Sequence, residues 1–359
     1  MKELFKKKNK PLIGVDISSS RIKMMELSGT AQNITIESYS IESIPDGLYS
    51  DHNILDIEKL SEHLKKAWSK LGTSNKSVAI AMPSAMVISK RFEMQDGLTS
   101  KDQLSQVESE AESYIPFSLD EVNLDYQILG PSATKEGHVD VYLAVSRKQH
   151  VDERLAVVQM AGLNAKVLDI DQMASIHAFE KMFSSHELAG LKDKNIMIVD
   201  LGSKVTEYQV LRNMEPIYNR EHNMSMSVLK QTITNNYGCS DTEVDHLMRG
   251  YDNVVAKYPN YLADILQPFM DGMALEIIRH IQLYESSGIW DGISKIILCG
   301  GGAMLDGLDD TVQEKTGIAT QIANPMARCK LSNKLRAEVL INDAPSLVVP
   351  FGLALRSFV

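Results

Sequence analysis

The feature that most restricts the fold of this chain is a short pattern that occurs twice, about half the chain apart. The first copy is "PLIGVDISSSRIKMMELS" (residues 11–28), and the second is "NIMIVDLGSKVTEYQVL" (residues 195–211). In each copy an apolar run leads into an aspartate, a turn of small residues and a second run suited to a strand. This pattern is typical of a β-hairpin. Its repetition predicts two related α/β domains.

The two copies align residue by residue around their aspartates. Asp200 aligns with Asp16, and Ser203 aligns with Ser19. Taken alone, a strand-end aspartate and a serine-rich turn are as typical of a surface hairpin as of a phosphate site. The hairpins by themselves therefore leave both interpretations open.

A third segment adds to the pattern. "ISKIILCGGGAMLDGL" (residues 293–308) is an apolar strand that runs into three glycines and then into a helical pattern. Glycines at such a point allow positive φ angles and a close approach of the backbone to a ligand. A tight strand-to-helix turn without a ligand would have the same pattern.

The stretch between the hairpins differs in character from both of them. Its periodicity predicts a strand, a helix, two paired strands and a second helix that ends at Gly162. We interpret these elements as a compact α+β module inserted into the first domain. The segments are "AMVISKRFEM", "SKDQLSQVESEAESYI", "EVNLDYQILG", "HVDVYLAVSRK" and "QHVDERLAVVQMAGL".

Residues 215–289 are predicted to be largely helical. They end in a long amphipathic helix with Ile277, His280, Ile281 and Tyr284 on one stripe. Such a stripe is more typical of a core than of a cofactor site, so we interpret His280 as a packed residue.

Composition excludes several classes of function. A net charge of -10 argues against a nucleic-acid-binding surface, which is normally basic. Three cysteines without metal-ligand spacing indicate reduced thiols in the cytoplasm. We find no apolar stretch near the length needed to span a bilayer. The opening "MKELFKKKNK" is predicted to be a solvated basic tail, and weak contact of this tail with anionic lipid is the alternative.

With these pieces in place, the chain resembles the actin-like ATPase superfamily, and within it the PilM family of type IV pilus assembly proteins. The superfamily resemblance lies in the two hairpins and the glycine turn. The family resemblance covers nearly the whole chain. It includes "GVDISSSRIKMMELS", "QVESEAESYIPFSLDEVNLDYQILGPS", "VDVYLAVSRKQHVDERLAVVQMAGLNAKVLDID", "ALEIIRHIQLY" and "NDAPSLVVPFGLALRSF".

The resemblance implies an α/β, actin-like two-domain fold with duplicated phosphate-binding hairpins and an inserted small α+β subdomain. The inserted module is similar to the one that replaces an actin subdomain in PilM and in the cell-division protein FtsA. The expected domains are a basic tail (1–10), a first domain (11–83 and 159–190, with 336–359 returning to it), the inserted partner-docking module (84–158), and a second domain (191–335) with a helical subdomain at about 219–289.

The resemblance also implies a site for ATP and Mg²⁺. Turn amides and hydroxyls form anion-binding concavities, and Asp16 and Asp200 would hold Mg²⁺ through water, because this ion dehydrates reluctantly. Asp171 lies where relatives orient the attacking water. The residues assigned to the nucleotide are Asp16, Ser18, Ser19, Ser20, Lys23, Asp200, Gly202, Ser203, Thr206, Asp245, Gly300 and Gly301.

The positions at which the chain departs from the superfamily pattern are Ser18, Ser225, Met226, Asp245, Met248 and Asp171. Ser225 and Met226 replace paired glycines near the phosphates, where a side chain could crowd the nucleotide. Met248 replaces a lysine that contacts ribose and adenine. We therefore expect ATP binding with slow or no hydrolysis.

In function, the resemblance implies a cytoplasmic scaffold that is attached to the inner membrane through PilN. It would bind the cytoplasmic N-terminal peptide of PilN and link the PilN–PilO complex to the pilus motor, and so support twitching motility. The predicted peptide surface lies in the inserted module, at Tyr114, Ile115, Pro116 and Phe117. The alternative is that these apolar residues only seal the module onto the first domain.

Two rival functions belong to other classes. A sugar kinase of the superfamily would need a catalytic base and a sugar pocket in its insert, whereas this insert has the pattern of a docking module. A filament-forming ATPase like FtsA would end in a linker and an amphipathic helix, whereas we expect "VPFGLALRSFV" to form a core-packed helix.

Overall fold

The computed structural model of the chain describes residues 11–288 and 291–358, so the predicted basic tail (1–10) lies outside the described residues. The strands are β1 Ile13–Ile17, β2 Arg21–Thr30, β3 Asn33–Ser43, β4 Tyr49–Ser50, β5 Asn53–Ile54, β6 Ser77–Met82, β7 Ile88–Gln95, β8 Val122–Pro131, β9 His138–Arg147, β10 Asn164–Ile170, β11 Asn195–Leu201, β12 Thr206–Arg212, β13 Glu215–His222, β14 Ile293–Cys299, β15 Thr320–Ile322 and β16 Lys330–Leu331.

The helices follow the same chain order. They are α1 Ile57–Leu71, α2 Ser100–Glu112, α3 Lys148–Met160, α4 Asp171–Met182, α5 Ser185–Gly190, α6 Met226–Tyr237, α7 Asp241–Met248, α8 Asp252–Val255, α9 Gln267–Ser286, α10 Leu308–Thr316, α11 Ala337–Asp343 and α12 Val348–Leu355.

Within the described ranges, the strands form sheets with the orders β10-β6-β1-β2-β3-β16, β13-β12-β11-β14-β15, β7-β9-β8 and β4-β5. Pairing is parallel between β1 and β6 and between β6 and β10. It is also parallel between β11 and β14 and between β14 and β15. Parallel neighbours joined through helices are the mark of an α/β architecture.

The chain divides into two compact units. Unit 1 contains the described part of Met1–Met24 together with Ser40–Met173, and unit 2 contains Met25–Tyr39 and the described part of Ala174–Val359.

The core of unit 1 lies between its parallel strands and helices α1 and α3. Helix α1 is capped at its start by Asp56, whose side chain accepts the Lys59 N–H, and at its end by Gly72, which has φ +66°. Both ends therefore carry the capping chemistry that satisfies free backbone groups. The buried face of α1 shares one apolar core with Val157 and Val158 of α3.

The inserted module is a three-stranded antiparallel sheet covered by α2. Strand β9 pairs with β7 on one side and with β8 on the other. Its burial alternates residue by residue, as expected when one face of a strand meets a core. Val107 and Ala111 of α2 pack on that face. The predicted paired strands and acidic helix are confirmed.

Unit 2 packs its helices on the five-stranded sheet. Met273, Ile277, His280 and Tyr284 form the buried face of α9, so the predicted core stripe is confirmed. The stretch predicted to be largely helical begins differently, because residues 215–222 form β13, which pairs antiparallel with β12. That pairing is a tertiary contact that periodicity does not reveal.

One helical run, Ala337–Phe358, is long and apolar enough to cross a membrane by length and composition, with a mean hydropathy of 1.3. The expectation that no stretch approaches that length is therefore wrong. Of its most apolar window, 67% is buried inside the structure. Core helices of ordinary proteins meet the same criterion, so this run is weak evidence for a membrane span.

Candidate functional site

The first hairpin holds its aspartate in an ion pair. Asp16 is buried near the end of β1, and its Oδ2 lies 2.8 Å from Lys23 Nζ on β2. Both side chains are less than one-sixth exposed, at 12% and 14%. Partial burial strengthens an ion pair because it removes solvent screening. The pair places a carboxylate and an ammonium side by side, which are the groups that would meet Mg²⁺ and a phosphate.

The serines of the first turn have different surroundings. Ser18 uses both of its donors inside the turn, since its N–H and its hydroxyl donate to the Arg21 carbonyl at 3.0 and 2.9 Å. The Ser20 carbonyl accepts the Ile44 N–H at 2.9 Å. Ser18 thus closes the hairpin, and Ser19 and Ser20 are the residues of this turn better suited to meet a ligand.

Asp171 is the first residue of α4, directly after β10. Its Oδ1 accepts the N–H of Ser84 at 2.9 Å and that of Gln172 at 2.6 Å. Burial raises the pKa of Asp171 to about 7, the charge of Asp16 adds to the rise, and the two N–H groups oppose it. The carboxyl therefore gains and loses its proton near neutral pH, and two N–H groups already occupy its Oδ1.

The second hairpin is built around Asp200 in β11. Asp200 pairs with Glu207 across the hairpin, and the Gly202 N–H donates to the Asp200 carbonyl at 3.1 Å. A Cβ at Gly202 would collide with the Val205 carbonyl oxygen. The turn is thus too tight for any side chain at position 202.

The second turn is tied to the start of α6. Two N–H groups of α6 donate to the carbonyls of Gly202 and Ser203 at 3.2 and 2.8 Å. Thr206 is buried, and its hydroxyl donates to the Met224 carbonyl. The threonine of the hairpin pattern therefore has a structural partner eighteen residues away along the chain.

The glycine turn lies against the second aspartate. Gly300 has φ +80°, and its N–H donates to the Pro345 carbonyl at 2.8 Å. A Cβ at this position would collide with the Asp200 carboxylate and lie 2.8 Å from the Leu201 carbonyl oxygen. Gly301 is exposed, with open space where a Cβ would lie. Gly300 thus lets the backbone approach the carboxylate, and Gly301 faces outward.

The positions that depart from the superfamily pattern fall into two groups. Ser225 and Met226 are buried, and Met226 lies against Gly302 in the core of unit 2. Asp245 is exposed on α7, whereas Met248 packs partly buried on the same core. The side chain of Met226 therefore fills the protein interior, and Asp245 remains accessible.

The four residues of the predicted peptide surface are not equally accessible. Tyr114 is 51% exposed, and Ile115 is 8% exposed and lies in the core of the module. Pro116 is exposed and Phe117 is partly buried. Ile115 thus anchors the segment to the module, while Tyr114 and Pro116 face outward.

Two cations flank the aromatic rings of this segment. Lys90 Nζ lies 2.8 Å from the centroid of the Tyr114 ring and also 2.8 Å from Glu110 Oε1. The Arg147 guanidinium lies 4.8 Å from the centroid of the Phe117 ring. Cation–π contacts of this kind hold a ring in place without burying it.

The site also uses residues that sequence reasoning missed. The Ser84 N–H binds Asp171, and the Pro345 carbonyl holds Gly300. Pro83, directly before Ser84, is a local signal for the first, because proline is common in turns. No local sequence pattern predicted the contact between Pro345 and Gly300.

Comparison with known proteins identifies the relatives of the chain. A family model described as type IV pilus assembly protein PilM matches residues 14–358. A protein solved in a PilM–PilN type IV pilus biogenesis complex is 24% identical, with a TM-score of 0.78 over 97% of this chain and 99% of that chain. The ethanolamine utilization protein EutJ from Carboxydothermus hydrogenoformans is 14% identical, with a TM-score of 0.57 over 96% of this chain and 89% of that chain.

These matches extend over whole chains rather than single motifs. They confirm the expected α/β actin-like fold with its two hairpins and inserted subdomain.

Proposed function

We propose a function from one premise: the chain belongs to the type IV pilus assembly protein PilM family. On this premise it is a scaffold protein that binds the cytoplasmic N-terminal peptide of PilN. The observation that carries the proposal is the similarity, over nearly the full length of both chains, to a protein solved in a PilM–PilN complex.

The wider role follows from the same premise. We place the protein in the cytoplasm, attached to the inner membrane through PilN, where it links the PilN–PilO complex to the pilus motor.

The inserted module supplies the surface proposed for the peptide. Tyr114 and Pro116 are exposed, Lys90 lies on the Tyr114 ring, and Arg147 lies on the partly buried Phe117 ring. Exposed rings next to cations suit an extended peptide, since the rings accept apolar side chains and the cations bind carbonyl or carboxylate oxygens. Ile115 in the module core fixes the segment in place.

Tyr114→Ala is expected to weaken binding of the PilN peptide by about tenfold or more. Aromatic side chains near the centre of an interface contribute much of the binding free energy, and this substitution removes one. Fluorescence anisotropy with a labelled N-terminal peptide of the PilN from the same organism measures the affinity. Leu129→Ala is the matched control, since Leu129 is a 44% exposed apolar residue of β8 in the same module. Equal affinities for the wild type and both variants would place the peptide elsewhere.

The second part of the proposal is a site for ATP and Mg²⁺. In the first hairpin, Asp16, Ser19, Ser20 and Lys23 would bind phosphate and metal, and in the second hairpin Asp200, Gly202 and Ser203 would have the same role. The buried ion pair of Asp16 and Lys23 supports this assignment, because Mg²⁺ can replace Lys23 at the carboxylate and leave the ammonium to a phosphate.

Slow or absent hydrolysis belongs to the same proposal. Two N–H groups already occupy Asp171 Oδ1, which leaves this carboxyl with less capacity to orient the attacking water. We therefore propose that ATP acts as a structural or switching ligand.

Asp16→Asn and Asp200→Asn are each expected to weaken Mg-ATP binding by roughly tenfold or more, since each removes a charge that faces the metal. Thermal melts with and without Mg-ATP measure the effect, because a ligand that binds the folded state raises its stability by RT ln(1 + [L]/Kd). Asp152→Asn, at an exposed position of α3, is the charge-matched control. An unchanged ATP-induced shift in both hairpin variants would overturn the assignment.

A further inference from the structure

Three side chains with metal-ligating atoms meet in unit 2, away from both hairpins. His222 ends β13, and Glu276 and His280 lie one turn apart on α9. One ligand atom from each lies within 4.8 Å of the other two. His222 Nδ1 is 3.8 Å from Glu276 Oε2. The strand end and the helix thus bring together two imidazoles and one carboxylate.

Several polar atoms of this cluster are buried and have no hydrogen-bond partner within the described residues. They are His280 Nδ1, Glu276 Oε2 and the hydroxyl of the adjacent Tyr208. His280 is only 4% exposed. A buried polar atom left without a partner costs about 1–3 kcal/mol, so such atoms in a native protein need an explanation.

The orientation of His280 is fixed by stacking. Its ring lies on that of Tyr208, with 3.7 Å between centroids and an angle of 8° between planes. The ring of His222 meets it edge-on at 5.6 Å. The His280 ring is therefore held in one orientation, and its Nδ1 is available as a metal ligand.

The spacing suits a small divalent cation. In a tetrahedral site with ligand bonds of about 2.0–2.2 Å, ligand atoms lie roughly 3.4 Å from one another. The observed separations of 3.8 Å for one pair and up to 4.8 Å within the cluster need only small rotations of the side chains to reach that value. Two histidines and a glutamate are a known Zn²⁺ ligand set with a fourth position left for water.

The neighbouring groups are compatible with an added ion. Arg279 Nη1 lies 3.8 Å from Glu276 Oε1, which leaves Oε2 for the metal. His222 Nδ1 accepts the Met224 N–H at 3.2 Å. An ion would therefore bind either Nδ1, in place of this N–H, or the other ring nitrogen, Nε2. The His222 side chain is 38% exposed and gives the ion a route from solvent.

We propose that His222, Glu276 and His280 bind one divalent transition-metal ion of the Zn²⁺ type, which joins the end of β13 to α9. This site is separate from the residues proposed for Mg-ATP. Its role is to hold the strand end against the helix.

The test is a zinc titration of the full chain, with any histidine tag removed and metal stripped by chelator. A competing chromophoric chelator reports the affinity. We expect one Zn²⁺ per chain, and Glu276→Gln and His222→Gln are each expected to weaken binding tenfold or more, because each removes a ligand from a side chain that is partly exposed. Both changes preserve most of the side-chain volume.

Two matched controls accompany these variants. Glu285→Gln is at an exposed position of the same helix, and His186→Gln removes an exposed imidazole elsewhere in unit 2. Both are expected to bind Zn²⁺ as the wild type does. The proposal is overturned if the wild type binds no Zn²⁺, or if Glu276→Gln and His222→Gln bind it with wild-type affinity, as they would if cysteines or other histidines were the ligands.

Discussion

Gly352→Ala is expected to lower the free energy of unfolding by roughly 3 kcal/mol or more, which is a large part of the stability of a typical domain. Gly352 lies in α12, where the helix meets α4. A Cβ at this position would collide with the Ala174 carbonyl oxygen and lie 2.5 Å from its carbonyl carbon. The colliding atoms are backbone, so no side-chain rotation relieves the clash and one helix has to move away.

Urea unfolding followed by circular dichroism measures the effect of this substitution. Gly190→Ala is the matched control, because Gly190 ends α5 and nothing lies within 4 Å of the position that a Cβ would take. This control is expected to be neutral or stabilising by less than about 1 kcal/mol. If Gly352→Ala unfolds at the same urea concentration as the wild type, α12 and α4 do not pack this closely.

The second large effect concerns pH. In the folded protein, burial and the charge of Asp16 raise the pKa of Asp171 from 3.8 to about 7. Between these two values the folded chain binds more protons at this carboxyl than the unfolded chain does. The contribution of Asp171 to the free energy of unfolding is therefore fully present below pH 3.8 and falls as the pH rises to about 7.

Asp171→Asn is expected to abolish this fall in the free energy of unfolding with rising pH. An amide does not ionise, and its Oδ1 can still accept the N–H groups of Ser84 and Gln172. The variant should become more stable than the wild type as the pH rises, by on the order of 2–4 kcal/mol at about pH 8, since one pKa unit corresponds to about 1.4 kcal/mol. At about pH 4 the difference between the two proteins should be small.

Denaturant unfolding at several pH values, without nucleotide and with a chelator present, measures this difference. Asp152→Asn serves as control, because it makes the same change of side chain at an exposed position of α3. A stability difference for Asp171→Asn that stays constant from about pH 5 to about pH 8 would mean that the carboxyl ionises as an exposed one does.

The sequence predicted the local elements well for a physical reason. The alternation of β9 and the stripe of α9 are set by side chains that repeat every two or about every 3.6 residues. Gly162, the predicted end of the second helix of the inserted module, has φ +78° two residues after α3, because ending a helix needs only residues near its end. Such features depend on neighbours along the chain, and the printed sequence contains all of them.

The roles of individual site residues were harder to predict. The hydroxyl of Thr206 is bound to the Met224 carbonyl, and that of Ser18 closes its own turn. Ile115, predicted as part of an apolar partner surface, is buried in the core of its module. The residue type does not distinguish a structural role from a binding role. Only the packing of the residue decides which of its atoms remain accessible.

By itself, the sequence determined the repeated hairpins, the inserted module and, through resemblance along nearly its whole length, the family. Tertiary structure alone decided that Asp16 pairs with Lys23, that the pKa of Asp171 is raised, and that His222 meets His280. The reason is that pairing energies and pKa values depend on distance in space and on burial. Residues far apart in the chain come together only when sheets and helices pack, so these pairing energies and pKa values are set by the tertiary structure.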